Sequence, residues 1–176
     1  MQFLTRSKTR RATNIYDRSR NISDKQIGEL VRLATRAPTP FHLQNWRFIA
    51  VKTPEAKTRL RKLAFDQPKV TAAAVTFIVV GQLASHLLLA ERLASLVAAG
   101  FMPADVVTGW ASAGKALYFE QTQRQRDEAV RTVTFGASHL MFAAQAQGLG
   151  SSLMIGFDAA GVTKEFGLGS DENMRK

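Results

Sequence analysis

The run Val75–Val80 constrains the fold most, because it is almost continuously apolar and rich in strand-forming residues. A short run of this kind predicts a strand buried on both faces, at the centre of a sheet. Such a strand needs helices on both sides of the sheet to cover it. The wider apolar stretch Val70–Gly81 is too short to cross a bilayer, so no membrane span is predicted.

The remaining secondary structure is predicted from apolar periodicity and from capping residues. Strands are predicted at 46–51 and 151–155, and helices at 2–8, 24–36, 54–65, 84–99, 104–120, 122–147 and between Asp158 and Gly167. The sum is an α+β fold with a small central sheet flanked by helices. With 176 residues and 45% hydrophobic residues, residues 1–176 fit a single domain.

Several helix ends carry specific signals. Ser23 and Gln26 form the pattern of a capping box, and Thr53 precedes Pro54 at the start of the next helix. Asp158 is the predicted cap of the last helix. The second half of helix 122–147 is apolar or small on nearly every side, which indicates burial in a core or in a subunit interface.

The composition excludes several kinds of chemistry. The chain has no cysteine, so it has no disulfide, thiolate metal site, iron–sulfur cluster or cysteine nucleophile. Its three histidines are scattered, which argues against a histidine metal site. It also lacks the glycine motifs of the P-loop and of the Rossmann fold. Any redox chemistry must therefore come from a bound organic cofactor.

The net charge of +10 leaves the class of partner open. Six of the first 20 residues are Arg or Lys, against one acid, Asp17. Such a segment suits nucleic acid, an anionic membrane or a phosphorylated ligand, and it also suits a plain solvated basic face. No apolar signal core is visible at the start of the chain, so a cytoplasmic protein is expected.

Three segments of the chain are distinctive: the basic segment Arg10–Asp17, the proline loop with its following strand, Ala37–Phe48, and the segment Gly148–Asp158. In this order and spacing they resemble the FMN-dependent nitroreductase family. A fourth segment, Asp66–Val70, lies where that family has a further flavin-contacting loop. The resemblance covers nearly the whole chain, and the proline loop followed by Trp-x-Phe is its most specific part.

This resemblance implies a homodimer that holds FMN at the subunit interface. NADH or NADPH would reduce the flavin, and a nitro compound, quinone, enal or other small electrophile would then reoxidise it in a ping-pong cycle. Flavin N5 would carry the hydride, so no catalytic side chain and no metal are expected. The helices at 84–99 and 122–147 are the candidate dimer interface. The acceptor-binding residues are expected within 101–125, where Phe101, Trp110, Tyr118 and Phe119 are candidates.

The resemblance also implies which residues contact the cofactor. They are Arg10, Arg11, Ala12 and Asn14 in the basic segment, Pro38, Thr39, Pro40, Phe41, His42 and Gln44 in the proline loop, Asp66 and Lys69, and finally Ile155 and Gly156. Arg10 and Arg11 would hold the phosphate. The proline loop would reach the flavin of the partner subunit, and a backbone N–H at 155–156 would face N5.

The sequence departs from the family pattern at several of these positions. The family commonly has Ser at Ala12, Lys or Arg at Asn14, and Asn at Asp66, and it usually continues with a further strand and a basic stretch beyond the point where this chain stops. Lys69 is expected to replace the missing cation in part. Two alternatives therefore stay open: a flavin-binding protein with little reductase activity, and a basic helical domain that binds nucleic acid. The resemblance argues against the second.

Overall fold

A computed structural model describes residues 8–83 and 85–169 of the chain. Its helices are α1 (Asp24–Ala34), α2 (Pro54–Leu63), α3 (Lys69–Ala72), α4 (Leu89–Ala98), α5 (Ala104–Tyr118), α6 (Thr122–Ala146) and α7 (Ala159–Glu165). The strands β1 (Trp46–Val51) and β2 (Thr76–Gly81) form a two-stranded sheet. Residues 2–7 of the first predicted helix, and the tail 170–176, lie outside the described residues.

Most predicted elements are confirmed, and the capping residues explain their starts. The Ser23 hydroxyl accepts from the Gln26 N–H at 3.2 Å, while the Gln26 side chain accepts from the Ser23 N–H at 3.1 Å. These are the two bonds of a capping box. Thr53 caps α2 through the Ala56 N–H at 3.3 Å, and Asp158 caps α7 through the Gly161 N–H at 3.0 Å. The predicted helix 84–99 differs, because its first turn is a 3₁₀ turn at Ser85–Leu88.

The predicted third strand at 151–155 is wrong. Only Ser151 pairs, in an isolated parallel bridge with Ala12. Leu153 and Ile155 are 65% and 87% exposed, so the apolar character of this run does not reflect a place in the interior of a sheet. The burial predicted for the central strand is also too high, because every residue of β2 is half-buried. Within the described residues, only β1 is hydrogen-bonded to β2.

The contacts within the chain define two compact units, while the predicted single domain stays a prediction. The first unit contains the residues up to Ala34, then Phe48–Val79, and then those from Ala137 onward. Its interior has two apolar clusters. One is built on α1 and the second half of α6, with Leu30, Ala34 and Leu140 buried. The other is built on α2, α3 and α7.

The second cluster of the first unit matters most for the site, because the predicted cofactor segments lie around it. Its buried members are Val51, Leu60, Ala64, Val70 and Val162. These side chains come from β1, α2, α3 and α7, and Met154 packs against them. The cluster therefore holds the end of α2, the start of α3 and the segment before α7 in one rigid neighbourhood.

The second unit contains Thr35–Arg47 and Val80–Gly136. Its apolar cluster consists of Leu43, Leu89, Leu93 and Tyr118, with Phe41 packed against it. The proline loop is therefore fastened to the start of α4 and the end of α5. No helix within the described residues is long and apolar enough to cross a membrane.

Candidate functional site

The basic segment is hydrogen-bonded to the start of segment 151–156. The Thr13 N–H donates to the Ser151 carbonyl at 3.0 Å, beside the parallel bridge between Ala12 and Ser151. Gly150 permits this approach, because a Cβ there would lie 2.5 Å from the Thr13 hydroxyl oxygen. Two of the predicted cofactor segments are thus brought together in the first unit.

Arg10 and Arg11 are two uncompensated cations at this junction. Neither forms an ion pair with a carboxylate in the part of the chain that the structure describes, and Arg11 is exposed while Arg10 is half-buried. Ala12 and Asn14 are exposed beside them. Adjacent guanidinium groups without a counter-charge can donate several hydrogen bonds to one anion.

The predicted loop around Asp66 and Lys69 is joined to the other end of segment 151–156. The Gln67 side-chain amide donates to the Gly156 carbonyl at 2.8 Å. Two residues further on, the Asp158 N–H donates to the Leu63 carbonyl at 2.7 Å. The first unit therefore connects the basic segment, segment 151–156 and the loop after α2 by hydrogen bonds.

The loop after α2 begins with two strained residues. Phe65 and Asp66 have φ values of 50° and 55°, and the Asp66 N–H donates to the Arg61 carbonyl at 3.0 Å. This is the 6→1 bond of a Schellman motif, and phenylalanine occupies the left-handed position that glycine usually takes. The Phe65 ring is 70% exposed and approaches Gly156, where an added Cβ would lie 3.9 Å from it. Backbone strain of this kind gathers at functional sites.

The Asp66 carboxylate is not free. Its Oδ1 lies 2.8 Å from the Arg61 Nε, so the predicted acceptor for the flavin pyrimidine already has a cationic partner. Lys69 is half-buried at the start of α3 and forms no ion pair within the described residues. The loop therefore offers one cation, Lys69, without an ion-pair partner in the described residues, and one carboxylate, Asp66, that is already paired with Arg61.

Segment 151–156 presents unpaired donors beside apolar side chains. The backbone N–H groups of Ile155 and Gly156 have no hydrogen-bond partner within residues 8–83 and 85–169. Leu153, Ile155 and Phe157 occupy alternate positions and are 65%, 87% and 38% exposed. Free N–H donors beside an apolar surface suit a planar apolar ring that carries acceptor atoms along one edge.

The proline loop belongs to the second unit and is also strained. Phe41, His42 and Gln44 have φ values of 50°, 58° and 44°. The Thr39 hydroxyl accepts from the Gln44 N–H at 3.2 Å, and the Leu43 N–H donates to the Pro40 carbonyl at 2.9 Å. The loop is therefore held in one conformation by its prolines and by these bonds.

Two of the predicted cofactor contacts in the proline loop, Phe41 and His42, interact with other residues of the second unit. The Phe41 ring meets Trp110 edge to face, with ring centroids 6.0 Å apart. Burial lowers the pKa of His42 below its usual range, and the Arg92 charge lowers it further, so His42 is neutral at pH 7. A neutral imidazole can both donate and accept a hydrogen bond. Trp46 is 9% exposed and belongs to the interior.

Of the acceptor-binding candidates, Tyr118 is a core residue. It is 8% exposed, and its hydroxyl donates to the Glu128 carboxylate at 3.1 Å. Burial, together with the Glu128 charge, raises the pKa of Tyr118 to about 12. Phe101, Trp110 and Phe119 are exposed and stay candidates. The described residues contain no cluster of histidine and acidic side chains that could hold a metal.

Sequence reasoning did not single out Phe65 and Gln67, the two residues of this loop that lie against Gly156. Gln67 lay inside a loop that the resemblance singled out, but its bond to Gly156 joins residues 89 positions apart. Phe65 is the last residue of the predicted helix 54–65, whereas α2 ends at Leu63 and Phe65 adopts a positive φ after it. A large aromatic side chain at the end of a helix is expected either to be buried in the core or to be exposed because it has a function.

Comparison with known proteins identifies the family. The sequence model of the Nitroreductase family matches residues 8–175. The chain belongs to the nitroreductase family. The predicted family and α+β fold are thus confirmed, and so is the predicted enzyme class, since the family consists of oxidoreductases.

Individual relatives agree with this assignment. YdgI of Bacillus subtilis strain 168, named as an NAD(P)H nitroreductase, is 30% identical over 169 residues, which cover 94% of this chain and 80% of YdgI. An NADH dehydrogenase of Thermus thermophilus is 30% identical over 155 residues, or 82% of this chain and 69% of the relative. An Exiguobacterium sibiricum structure described as a nitroreductase in complex with FMN has a TM-score of 0.90 at 26% identity, covering 97% of this chain and 82% of that one.

The residues of this nitroreductase-family chain fit FMN on chemical grounds. Arg10 and Arg11 have no ion-pair partner among the described residues and suit a phosphate, and the N–H groups of Ile155 and Gly156, free within the same residues, suit acceptor atoms of a heterocycle. The exposed side chains of Leu153 and Ile155 suit the apolar face or edge of a ring. All five residues lie in the first unit.

Proposed function

We propose that the protein is an NAD(P)H-dependent FMN oxidoreductase that reduces small electrophiles such as nitro compounds, quinones or enals. One observation carries this proposal. Segment 151–156 is bonded to the basic segment through Ser151 and to the Gln67 loop through Gly156. Hydrogen bonds therefore join the segment that carries Arg10 and Arg11 to the segment that carries the free backbone N–H groups of Ile155 and Gly156. This arrangement suits a ligand with an anionic end and a planar end.

Each end of that stretch has a separate task. Arg10 and Arg11 bind the phosphate of FMN, because two guanidinium groups can neutralise its charge with forked donors. The N–H groups of Ile155 and Gly156 would donate to acceptor atoms of the flavin ring. Lys69 would supply positive charge to the flavin, in part replacing the cation that the family commonly has at the position of Asn14.

When bound, FMN supplies the hydride chemistry, accepting from NADH or NADPH and donating to the electrophile. The chain's own residues bind and orient it. Proline-loop residues of the second unit would contact the FMN bound by the partner of a homodimer. There Phe41 and the neutral His42 would provide an aromatic surface and a polar group. The 84–99 and 122–147 regions are the proposed dimer contacts.

A second candidate is a flavin-binding protein with little reductase turnover. The ion pair between Asp66 and Arg61 favours it, because it leaves the pyrimidine edge without the free polar partner that the resemblance implies. Ala12 also offers no hydroxyl to the phosphate. In this case FMN would bind, but NADH and NADPH would reduce it slowly.

An absorption spectrum of the purified protein tests both candidates. The protein is loaded with FMN, desalted and mixed with NADH or NADPH without oxygen. Retained flavin bands that NADH or NADPH bleaches at a rate typical of enzymatic turnover support the oxidoreductase. Retained bands that bleach only slowly favour the second candidate. A colourless protein after desalting contradicts both.

The phosphate assignment has its own test, the variant Arg10→Ala. Loss of a charge-assisted hydrogen bond costs about 1.5–3 kcal/mol, so the Kd for FMN should rise roughly ten- to hundred-fold. Arg18→Ala is the matched control, because Arg18 is an exposed arginine of the same unit outside the predicted site. Equal FMN affinity in the two variants, measured by fluorescence titration, would remove Arg10 from the phosphate site.

A further inference from the structure

We infer that Gln67 is a positioning residue for the flavin site, because its side-chain amide fixes the direction of the free backbone donors at Ile155 and Gly156. This inference rests on the proposed function. The Gln67 Nε2 donates to the Gly156 carbonyl at 2.8 Å. An added Cβ on Gly156 would lie 3.4 Å from the same nitrogen, so the amide rests against the peptide that it holds.

Gln67 is itself firmly anchored. Its backbone N–H donates to the Ala64 carbonyl at 3.2 Å, and its carbonyl accepts from the Val70 N–H at 3.2 Å. Ala64 and Val70 are each 1% exposed and belong to the apolar cluster around α2, α3 and α7. The Gln67 amide is therefore a fixed donor on a rigid base and not a freely rotating surface group.

The segment that receives this bond has little other support at its exposed end. The Phe157 N–H donates to the Ile155 carbonyl at 3.1 Å, and the Gly156 carbonyl accepts from Gln67. The peptide between Gly156 and Phe157 thus has both polar groups occupied. The preceding peptide keeps its N–H free, and its orientation follows from the peptide that Gln67 holds.

This arrangement assigns different tasks to neighbouring residues. Gly156 offers a donor to the ligand, while Gln67 touches Gly156 from the protein side and acts through it. Removing the Gln67 amide leaves the cluster behind it unchanged but frees the Gly156 peptide to rotate. FMN binding should then weaken, because the free N–H would no longer be preorganised toward N5.

The test compares Gln67→Met, which keeps the length of the side chain but removes its donor, with Gln147→Met. Gln147 is exposed in the same unit, and its side chain makes no hydrogen bond within the described residues. The Kd for oxidised FMN should rise about three- to ten-fold in Gln67→Met, the effect of one neutral hydrogen bond, and stay unchanged in the control.

A second readout separates positioning from general stability. N5 accepts a hydrogen bond only before it takes up hydride, so Gln67→Met should weaken binding of oxidised FMN more than that of reduced FMN. By linkage, the midpoint potential of the bound flavin should become more positive. In the flavin-free proteins, ¹⁵N relaxation should show larger amplitudes at Ile155 and Gly156 in the variant than in wild type.

The outcomes keep this inference distinct from the proposed function. Wild type that binds FMN, together with a Gln67→Met variant of equal affinity and potential, overturns the positioning role alone. An unchanged potential with weakened binding also overturns it, because a merely structural role would lower affinity for both redox states equally. Wild type that fails to bind FMN overturns the proposed function and this inference with it.

Discussion

Phe65 has a backbone conformation that is unfavourable for its residue type. It stands at the left-handed end of α2, where glycine would be free of strain, and its ring is 70% exposed. An exposed phenylalanine in that conformation contributes little to the core and costs free energy. We therefore expect that its ring is kept for the ligand.

Phe65→Gly should consequently separate stability from binding. The free energy of unfolding should rise by about 1 kcal/mol, because glycine accepts the positive φ without strain. FMN affinity should fall, because the ring beside Gly156 is gone. Phe65→Ala is the matched variant, since it also lacks the ring but retains a Cβ and with it the strain.

Urea denaturation and FMN titration of the two variants check this. Both should bind FMN more weakly than wild type, and only Phe65→Gly should gain stability. Full FMN affinity in both variants would mean that the ring has no part in the site. Equal stability of the two would mean that the positive φ at Phe65 carries no cost.

Among elements, α2 depends on one buried cation. Lys57 is 9% exposed, and its ammonium group donates to the Ala73 and Ala74 carbonyls at 2.5 and 2.9 Å. Burial lowers the pKa of Lys57 below its usual range. The lysine thus connects α2 to the turn between α3 and β2, because it donates hydrogen bonds to two carbonyls just before β2.

Lys57→Met should lower the free energy of unfolding by about 1–3 kcal/mol, because it leaves the carbonyls of the half-buried Ala73 and Ala74 without this donor. Lys62→Met is the control, since Lys62 is an exposed lysine of the same helix. Thermal or urea denaturation measures both variants. A Lys57→Met protein as stable as the control would show that water replaces the ammonium group at no cost.

The elements also mark where sequence reasoning ends. Both strands, and the helices other than the one-turn α3, were predictable because their signals are local: apolar periodicity, the Ser23–Gln26 box and the Thr53 cap. The run 151–155 failed because its apolar residues satisfy a strand pattern, while their actual environment is an exposed surface. A local pattern cannot distinguish a side chain that faces a sheet from one that faces a ligand site.

For the candidate site, the sequence supplied segments, and the resemblance supplied their roles. Neither the sequence nor the resemblance predicted the hydrogen bonds that join these segments. The bonds from Thr13 to Ser151 and from Gln67 to Gly156 connect positions far apart in the chain. Sequence reasoning also missed the Asp66–Arg61 ion pair, although the two lie only five residues apart. Asp66 adopts a positive φ after the end of α2, and the periodic pattern of a helix does not predict that conformation.

For the molecule as a whole, two half-buried or buried histidines make stability depend on pH. Burial lowers the pKa values of His42 and His86, and the Arg92 charge lowers that of His42 further. His86 is 8% exposed, and its Nδ1 has no hydrogen-bond partner among the residues that the structure describes. Both side chains lie in the second unit and are neutral at pH 7 in the folded protein.

The sign follows from proton linkage. In the unfolded chain these histidines take up protons near pH 6.5, whereas the folded protein resists protonation until a lower pH. The unfolded state therefore binds more protons as the pH falls below about 6.5, and the free energy of unfolding decreases. Above that pH the contribution of the neutral histidines is fully present.

His86→Gln should reduce this pH dependence, because glutamine has no proton to gain. Urea midpoints at pH 7.5, 6.5 and 5.5 should fall less steeply in the variant than in wild type, with the lowest pH kept above the range in which most carboxylates titrate. His139→Gln, an exposed histidine on α6, is the control and should follow wild type. If His86→Gln follows wild type as well, burial of His86 is not what couples folding to protons, and the remaining dependence belongs to His42 and the acidic groups.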